Sequence, residues 1–125
     1  MAYTNCATTC PATVAKLKEI ESALKAAGED QATIVLASFD PKRDTPERLA
    51  AYALERKLDG KRWMLLSPSG DRDVRELAAA LGIVYSRDKD GEFSHSNIIS
   101  LLDREGVLQT QVAGLVESHS ELVQL

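Results

Sequence analysis

The stretch Cys6-Ala7-Thr8-Thr9-Cys10-Pro11 holds both cysteines of the chain and lies at the predicted start of a helix. Proline fits the first turn of a helix, because its φ is fixed near the helical value and it lacks an N–H. Apolar residues follow at helical spacing: Val14, Leu17, Ile20 and Leu24. This pattern predicts an amphipathic helix from about Pro11 to Ala27. Cys10 would then lie at a helix N-terminus, where unpaired N–H groups and the helix dipole favour the thiolate form.

The composition is that of one soluble globular domain. The chain has 125 residues, of which 27% are charged and 44% hydrophobic, and this length suits a single domain over residues 1–125. The net charge of −4 argues against a nucleic-acid partner or an anionic membrane surface, because neither would attract an acidic protein.

The first residues carry no signal peptide, and no apolar run approaches the ~18 residues that a membrane-spanning helix needs. A literal interpretation would place the chain in the cytoplasm. However, Met1 to Thr4 looks like the end of a strand whose beginning is missing, so we expect a truncated N-terminal strand instead. Two cysteines do not decide the redox compartment.

Strands and helices are predicted to alternate along the first two thirds of the chain. The strand Ala32–Phe39 is nearly continuous in apolar residues, which predicts burial on both faces of a parallel or mixed sheet. Thr45 is a candidate N-cap for the helix Pro46–Lys57. The strand Trp63–Leu66 and the helix Asp73–Leu81 follow.

The remainder is predicted to be mainly a β-hairpin. Ile83 to Tyr85 is a brief extended piece, and Asn97–Leu102 and Val107–Val112 form two arms joined by a turn at Arg104-Glu105-Gly106. A last helix covers about Glu117 to Leu125. This order, with a cysteine motif at a strand-to-helix junction, predicts an α/β, thioredoxin-like fold with a mixed central sheet flanked by helices.

Three residues separate Cys6 from Cys10, whereas cysteine pairs in this fold usually have two residues between them. The wider spacing puts two thiolates about one helical turn apart, where both can reach one metal ion. A disulfide is also compatible with this spacing. A third interpretation is that both are buried structural cysteines, since free cysteine is often buried.

His95 is the candidate third ligand. It lies in Glu92–Asn97, just before the predicted hairpin, and a thioredoxin-like topology brings that junction close to the start of the first helix. Its imidazole could therefore join the two thiolates. The alternative is a solvated histidine, which is our interpretation of His119 on the last helix.

Two thiolates and one imidazole would suit copper in both oxidation states. Thiolates select Cu(I) and Zn(II), and imidazole also accommodates Cu(II). Structural zinc would need a fourth ligand that the chain does not obviously offer. Asp40 and Asp44, which follow the second predicted strand, either orient a ligand or cap the loop before Pro46.

Three motifs together resemble the Sco/SenC family. They are Tyr3 to Pro11, Ser38 to Glu47, and Phe93-Ser94-His95 followed by Leu101-Leu102-Asp103 and Gly106. The resemblance implies a thioredoxin-like copper-binding protein that helps to assemble the copper centre of cytochrome c oxidase. It also implies a location on the periplasmic or otherwise extracytoplasmic side of the inner membrane, with a membrane tether in the full-length protein.

By this resemblance Cys6 and Cys10 are the copper thiolates, His95 is the third ligand, and Asp40 falls in an acidic loop near the site. Ala7 departs from the family pattern, since many members have proline there. The implied function is a copper metallochaperone, whose partners are the oxidase copper-site subunit and other copper or thiol carriers. The alternatives are a thiol–disulfide oxidoreductase that reduces the cysteines of the oxidase copper site, with Cys6 and Cys10 as its catalytic residues, and a redox or copper sensor.

Overall fold

The computed structural model describes residues 1–4, 9–29, 31–90 and 93–113, with the backbone alone for residues 9–11 and 113. Within these ranges the elements are α1 (Thr9–Ala26), β1 (Ile34–Ala37), α2 (Pro46–Glu55), β2 (Trp63–Leu66), α3 (Asp71–Ala80), β3 (Tyr85–Arg87), β4 (Phe93–His95), β5 (Ile98–Leu102) and β6 (Leu108–Ala113). This order agrees with the predicted alternation of strands and helices followed by antiparallel strands. The predicted helix Glu117–Leu125 lies outside the described residues.

The strands are joined in pairs. β1 and β2 are parallel, whereas β3 pairs with β4 and β5 with β6 in antiparallel fashion. The β5–β6 pair is the predicted hairpin. Parallel and antiparallel pairing therefore both occur, as expected of a mixed α/β domain.

The first residues of the chain lie beside β1. Ala2 forms a parallel bridge with Ser38, and its N–H donates to the Ala37 carbonyl at 3.0 Å. The Phe39 N–H donates in turn to the Ala2 carbonyl at 2.9 Å. These bonds form an isolated parallel bridge, the part of the predicted strand at Met1 to Thr4 that the structure shows, and they bring the sequence that leads into Cys6 to the end of β1.

Burial along β1 differs from the prediction at one position. Ile34 and Leu36 are each 7% exposed, but Val35 is 52% exposed and its register partner Met64 is 50% exposed. Successive side chains of a strand point to opposite faces of the sheet. The prediction that this strand is buried on both faces is therefore wrong at Val35, because a continuous apolar run does not reveal which face is covered.

Helix boundaries follow the local sequence signals. Beyond the end of α1, Gly28 has φ of 74°, and its N–H donates to the Lys25 carbonyl at 3.1 Å. Glycine adopts this left-handed conformation without steric cost, which stops the helix. At the start of α2 the Thr45 hydroxyl accepts from the Arg48 N–H at 3.2 Å, directly before Pro46, so the predicted N-cap is confirmed.

The β3–β4 pair is the main feature that the sequence did not predict. Tyr85 lies opposite His95 and Arg87 opposite Phe93. The sequence predicts only a brief extended piece at Ile83 to Tyr85 and a loop around His95. Each strand has three residues, too few to show an alternating pattern. Pairing across the sheet, rather than local periodicity, makes this segment extended.

Candidate metal centre

Of the two cysteines, Cys10 lies at the start of α1. Cys10 is the second residue of the helix, so its backbone occupies the first helical turn, close to the predicted position. Cys6 lies outside the described residues, and only the backbone of Cys10 is described. The pairing of the two thiols therefore remains a prediction, whereas the position of Cys10 next to the positive end of the helix dipole is a feature of the structure.

His95 is the last residue of β4 and is partly buried against aromatic rings. Its ring centroid lies 4.8 Å from that of Phe39 and 6.3 Å from that of Tyr3. The Nδ1 atom is 3.1 Å from the Ser96 carbonyl oxygen, a contact that requires a proton on Nδ1. A neutral imidazole with its proton on Nδ1 has its lone pair on Nε2. Nε2 is therefore the ring nitrogen that could bind a metal ion.

The environment of His95 favours its neutral form. Burial lowers the pKa of the imidazole below the ordinary value of 6.5, because the charged form loses hydration, and the positive chain terminus acts in the same direction. The hydrogen bond to Ser96 acts in the opposite direction and is the smaller effect. Burial therefore favours the unprotonated ring, the form that binds metal ions.

Tyr3 connects the N-terminal segment to the β-strand that carries His95. Its side chain is 5% exposed, its ring centroid is 5.0 Å from that of Phe93, and its hydroxyl contacts the backbone of Phe93. The sequence did not single out Tyr3. The only local signal is an aromatic residue three positions before Cys6, which does not by itself reveal the contact.

Asp44 is fully buried at 0% exposure and holds the residue that follows Tyr3. Its carboxylate accepts hydrogen bonds from the N–H and the hydroxyl of Thr4 and from the hydroxyl of Ser38. Thr4 precedes Cys6 by two residues. Asp44 thus contacts the segment leading into the cysteine motif, and a role in orienting a metal ligand stays a prediction.

Asp40 is buried between two arginines. Its Oδ2 atom is 3.2 Å from Arg43 Nε, and its Oδ1 atom is 3.9 Å from Arg87 Nη2. Within the described ranges neither carboxylate oxygen accepts a hydrogen bond, although the side chain is 2% exposed. Arg87 also lies over the Phe93 ring at 5.1 Å. Arg87 therefore contacts both Asp40 and a residue of the strand that carries His95.

The described residues thus bring His95, Tyr3 and Thr4 to one end of the parallel strands. Among them, no group of three or more histidine, cysteine or carboxylate side chains could hold a metal ion. Cys6, a ligand predicted from the sequence, lies outside the described residues. No helix in the described ranges is both long and apolar enough to cross a membrane.

Comparison with solved structures defines the fold class. A SCO1/SenC family lipoprotein from Bacillus anthracis str. Ames superimposes with a TM-score of 0.88 at 22% identity, over 98% of this chain and 74% of that chain. Arabidopsis thaliana ScoI, solved with copper bound, gives 0.80 at 23% identity, over 98% of this chain and 74% of that chain. The domain therefore has a thioredoxin-like fold.

The family is established by the sequence. The SCO1/SenC family model matches residues 1–124, and the chain belongs to this family. A SCO1 protein homologue from Bacillus subtilis (strain 168) is 27% identical over 106 residues, which cover 83% of this chain and 54% of the relative. The chain spans about half the length of the curated relatives that it matches.

Proposed function

We propose that this chain binds copper through the thiolates of Cys6 and Cys10 and the imidazole of His95, and delivers it to the copper centre of cytochrome c oxidase. Copper is the cargo of this reaction. The observation that carries the proposal is the position of His95 on β4, where its Nδ1 atom contacts the Ser96 carbonyl, in a member of the SCO1/SenC family.

The surroundings of His95 suit a metal ligand. Histidines that bind metals usually donate their other ring N–H to a carbonyl or carboxylate, which fixes the tautomer and the orientation of the ring. The contact between Nδ1 and the Ser96 carbonyl has this character and leaves the lone pair on Nε2. The lowered pKa reduces the competition between protons and copper at neutral pH.

The chemistry of the cysteines supports copper. Cys10 is in the first turn of α1, where the helix dipole stabilises a thiolate. Thiolates are soft donors that prefer Cu(I), and a neutral imidazole extends the set to Cu(II). Arabidopsis thaliana ScoI and yeast Sco1 were both solved with copper bound, which supports copper as the metal carried by this chain.

The partner and the compartment belong to the same proposal. The similarity to a SCO1/SenC lipoprotein supports a location on the extracytoplasmic side of the inner membrane. The proposed partner is the oxidase subunit that holds the copper site, and other copper or thiol carriers would supply the chain. A carrier must release its cargo, so the ligands of this chain would be replaced one by one by those of the partner.

Anaerobic titration of the fully reduced chain with copper tests the ligand set. We expect one Cu(II) ion per chain, with a thiolate-to-copper absorption band. His95→Ala should weaken Cu(II) binding at least tenfold and shift this band, because one nitrogen donor is lost. His119→Ala is the control, since His119 is predicted to be solvated, and should bind as the unmodified chain does. Unchanged Cu(II) affinity and spectrum in His95→Ala would show that the three-ligand site is wrong.

Delivery is tested separately. The copper-loaded chain is mixed with the metal-free soluble domain of the oxidase copper-site subunit, and the copper content of each protein is measured after separation. We expect copper to move to the oxidase domain. Retention of all copper by the chain, under conditions in which free copper loads the oxidase domain, would contradict the delivery role and leave copper binding standing.

A further inference from the structure

The hydroxyl of Tyr3 lies between the segment leading into Cys6 and the strand that carries His95. We propose that Tyr3 is a positioning residue, which fixes the strand of His95 relative to the N-terminal segment that leads into Cys6, through its hydrogen bonds to the backbone of Phe93. The inference rests on the proposed function for its relevance to copper. Its structural half, that Tyr3 orients His95, can be tested without metal.

The backbone on both sides of Tyr3 is held in place. Ala2 exchanges hydrogen bonds with the chain at the end of β1, donating at 3.0 Å and accepting at 2.9 Å. Thr4 donates through its N–H to the buried Asp44 carboxylate at 3.1 Å. Tyr3 is therefore anchored by its two neighbours, to the end of β1 on one side and to Asp44 on the other, and Tyr3 is 5% exposed.

The Tyr3 hydroxyl contacts both polar backbone groups of one residue. It donates to the Phe93 carbonyl at 3.3 Å and accepts from the Phe93 N–H at 3.2 Å. Phe93 precedes His95 by two residues in β4. The N–H and the carbonyl of Phe93 point away from β3, where a neighbouring strand would normally bond to them. The Tyr3 hydroxyl bonds to both groups in place of such a strand.

This contact matters because it adds backbone hydrogen bonds between the N-terminal segment and β4. In the described part of the chain, backbone ladders join β3 to β4 and β1 to β2, but none joins β4 to β1. The Phe39 and Tyr3 rings also pack on His95, at 4.8 and 6.3 Å between centroids. Ring packing restricts the distance between β4 and the residues beside β1. The hydrogen bonds to Phe93 also fix the position of β4 along its own axis.

The hydroxyl has a role distinct from that of the ring. Phenylalanine at position 3 would fill the same space against Phe93, whose ring centroid is 5.0 Å away. Only the hydroxyl can bond to the Phe93 backbone, and a buried hydroxyl is costly unless it is bonded. Ligand side chains must be held within about 0.5 Å of their working geometry, so a small movement of β4 would alter the site.

Tyr3→Phe removes this hydroxyl and keeps the ring. Tyr85→Phe is the matched control, because Tyr85 belongs to the same aromatic cluster and its hydroxyl takes no part in the Tyr3–Phe93 hydrogen bonds. In metal-free protein followed by NMR, we expect the Phe93 amide of Tyr3→Phe to exchange with solvent about tenfold faster. The His95 ring signals should shift as well. In Tyr85→Phe the exchange rate of the Phe93 amide should stay at that of the unmodified chain.

Copper binding gives the second measurement. We expect Cu(II) to dissociate from Tyr3→Phe about three to ten times faster than from the unmodified chain, with altered EPR parameters. Cu(I) affinity should stay within about threefold, because the two thiolates dominate binding of that soft ion.

Two results would overturn the inference. One is an unchanged His95 ring spectrum in metal-free Tyr3→Phe. The other is a Cu(II) spectrum and dissociation rate equal to those of the unmodified chain despite lower stability, since this would show that Tyr3 only supports the fold. Failure of the proposed function looks different: His95→Ala would then leave the Cu(II) signal unchanged, while the metal-free effects of Tyr3→Phe would persist.

Discussion

The carboxylate of Asp44 accepts two hydrogen bonds from Thr4, one from its N–H at 3.1 Å and one from its hydroxyl at 2.5 Å. Forty positions separate the two residues in sequence. The Ser38 hydroxyl donates to the same carboxylate at 2.5 Å, and Arg48 Nε donates to the Thr4 hydroxyl at 3.0 Å. This network, with the buried Asp44 carboxylate at its centre, fixes the backbone two residues before Cys6.

Replacing Asp44 with asparagine should lower the free energy of unfolding by about 2 kcal/mol, because one accepting oxygen becomes an NH₂ donor facing other donors. Urea unfolding followed by fluorescence of Trp63, the single tryptophan, measures this change. Asp73→Asn is the control. Asp73 is exposed in the first turn of α3, and the same substitution there should cost only about 0.5 kcal/mol. Equal losses in both variants would contradict a structural role for the Asp44 network.

The stability of the metal-free chain should fall as the pH is lowered through the range just below 6.5. Burial lowers the pKa of His95 in the folded chain, so the unfolded chain takes up a proton at a higher pH than the folded chain does. The contribution of His95 to the free energy of unfolding is complete above the pKa of the unfolded chain, near 6.5. It is lost as the pH falls toward the lower pKa of His95 in the folded chain.

Urea unfolding at several pH values between 5 and 8 measures this effect. His95→Asn removes the titrating ring, and the difference between the two proteins isolates His95 from the carboxylates and from His119. We expect the unmodified chain to lose more stability than His95→Asn on acidification. Parallel curves for the two proteins would be inconsistent with a lowered His95 pKa.

The ion pair between Asp40 and Arg43 should be stronger than an exposed pair of similar length. The Nε–oxygen distance is 3.2 Å here and 3.1 Å between Arg72 and Glu76, but Asp40 is 2% exposed and Glu76 is 62% exposed. A double-mutant cycle with Asp40→Asn and Arg43→Gln should give a coupling free energy of roughly 1 kcal/mol, reduced by the solvent around Arg43. The cycle at Arg72 and Glu76 should give about 0.3 kcal/mol. If the coupling free energy between Asp40 and Arg43 were no larger than that between Arg72 and Glu76, burial would not strengthen the Asp40 ion pair.

Both cysteines should be needed to bind Cu(I). Cys6→Ser and Cys10→Ser each replace a soft sulfur donor by a hard oxygen, so each should lower Cu(I) affinity by about 100-fold or more. Competition with a Cu(I)-specific chelator under anaerobic conditions measures the affinity. His95→Ala should lose far less affinity for Cu(I) than either serine variant. A serine variant that retained the full Cu(I) affinity would exclude that cysteine as a ligand.

The sequence by itself determined the order of the elements and most of their identities, although it did not predict the β3–β4 pair. Apolar spacing predicted α1, the N-cap at Thr45 predicted the start of α2, and the strand Trp63–Leu66 was predicted with its observed bounds. These features depend on neighbours within a few residues, so they can be read from a linear pattern. Three motifs together, of which the one around Cys6 and Cys10 is the first, also indicated the family, which the match over residues 1–124 confirms.

Only the tertiary structure decided how the candidate site is supported. It places His95 in a strand rather than a loop, uses Asp44 to hold Thr4, and joins Tyr3 to Phe93 across 90 positions of sequence. The sequence contains these residues but not their contacts, because a hydrogen bond between distant residues depends on how whole elements pack. Local periodicity therefore predicted the helix that starts beside Cys10, whereas packing determined what surrounds His95.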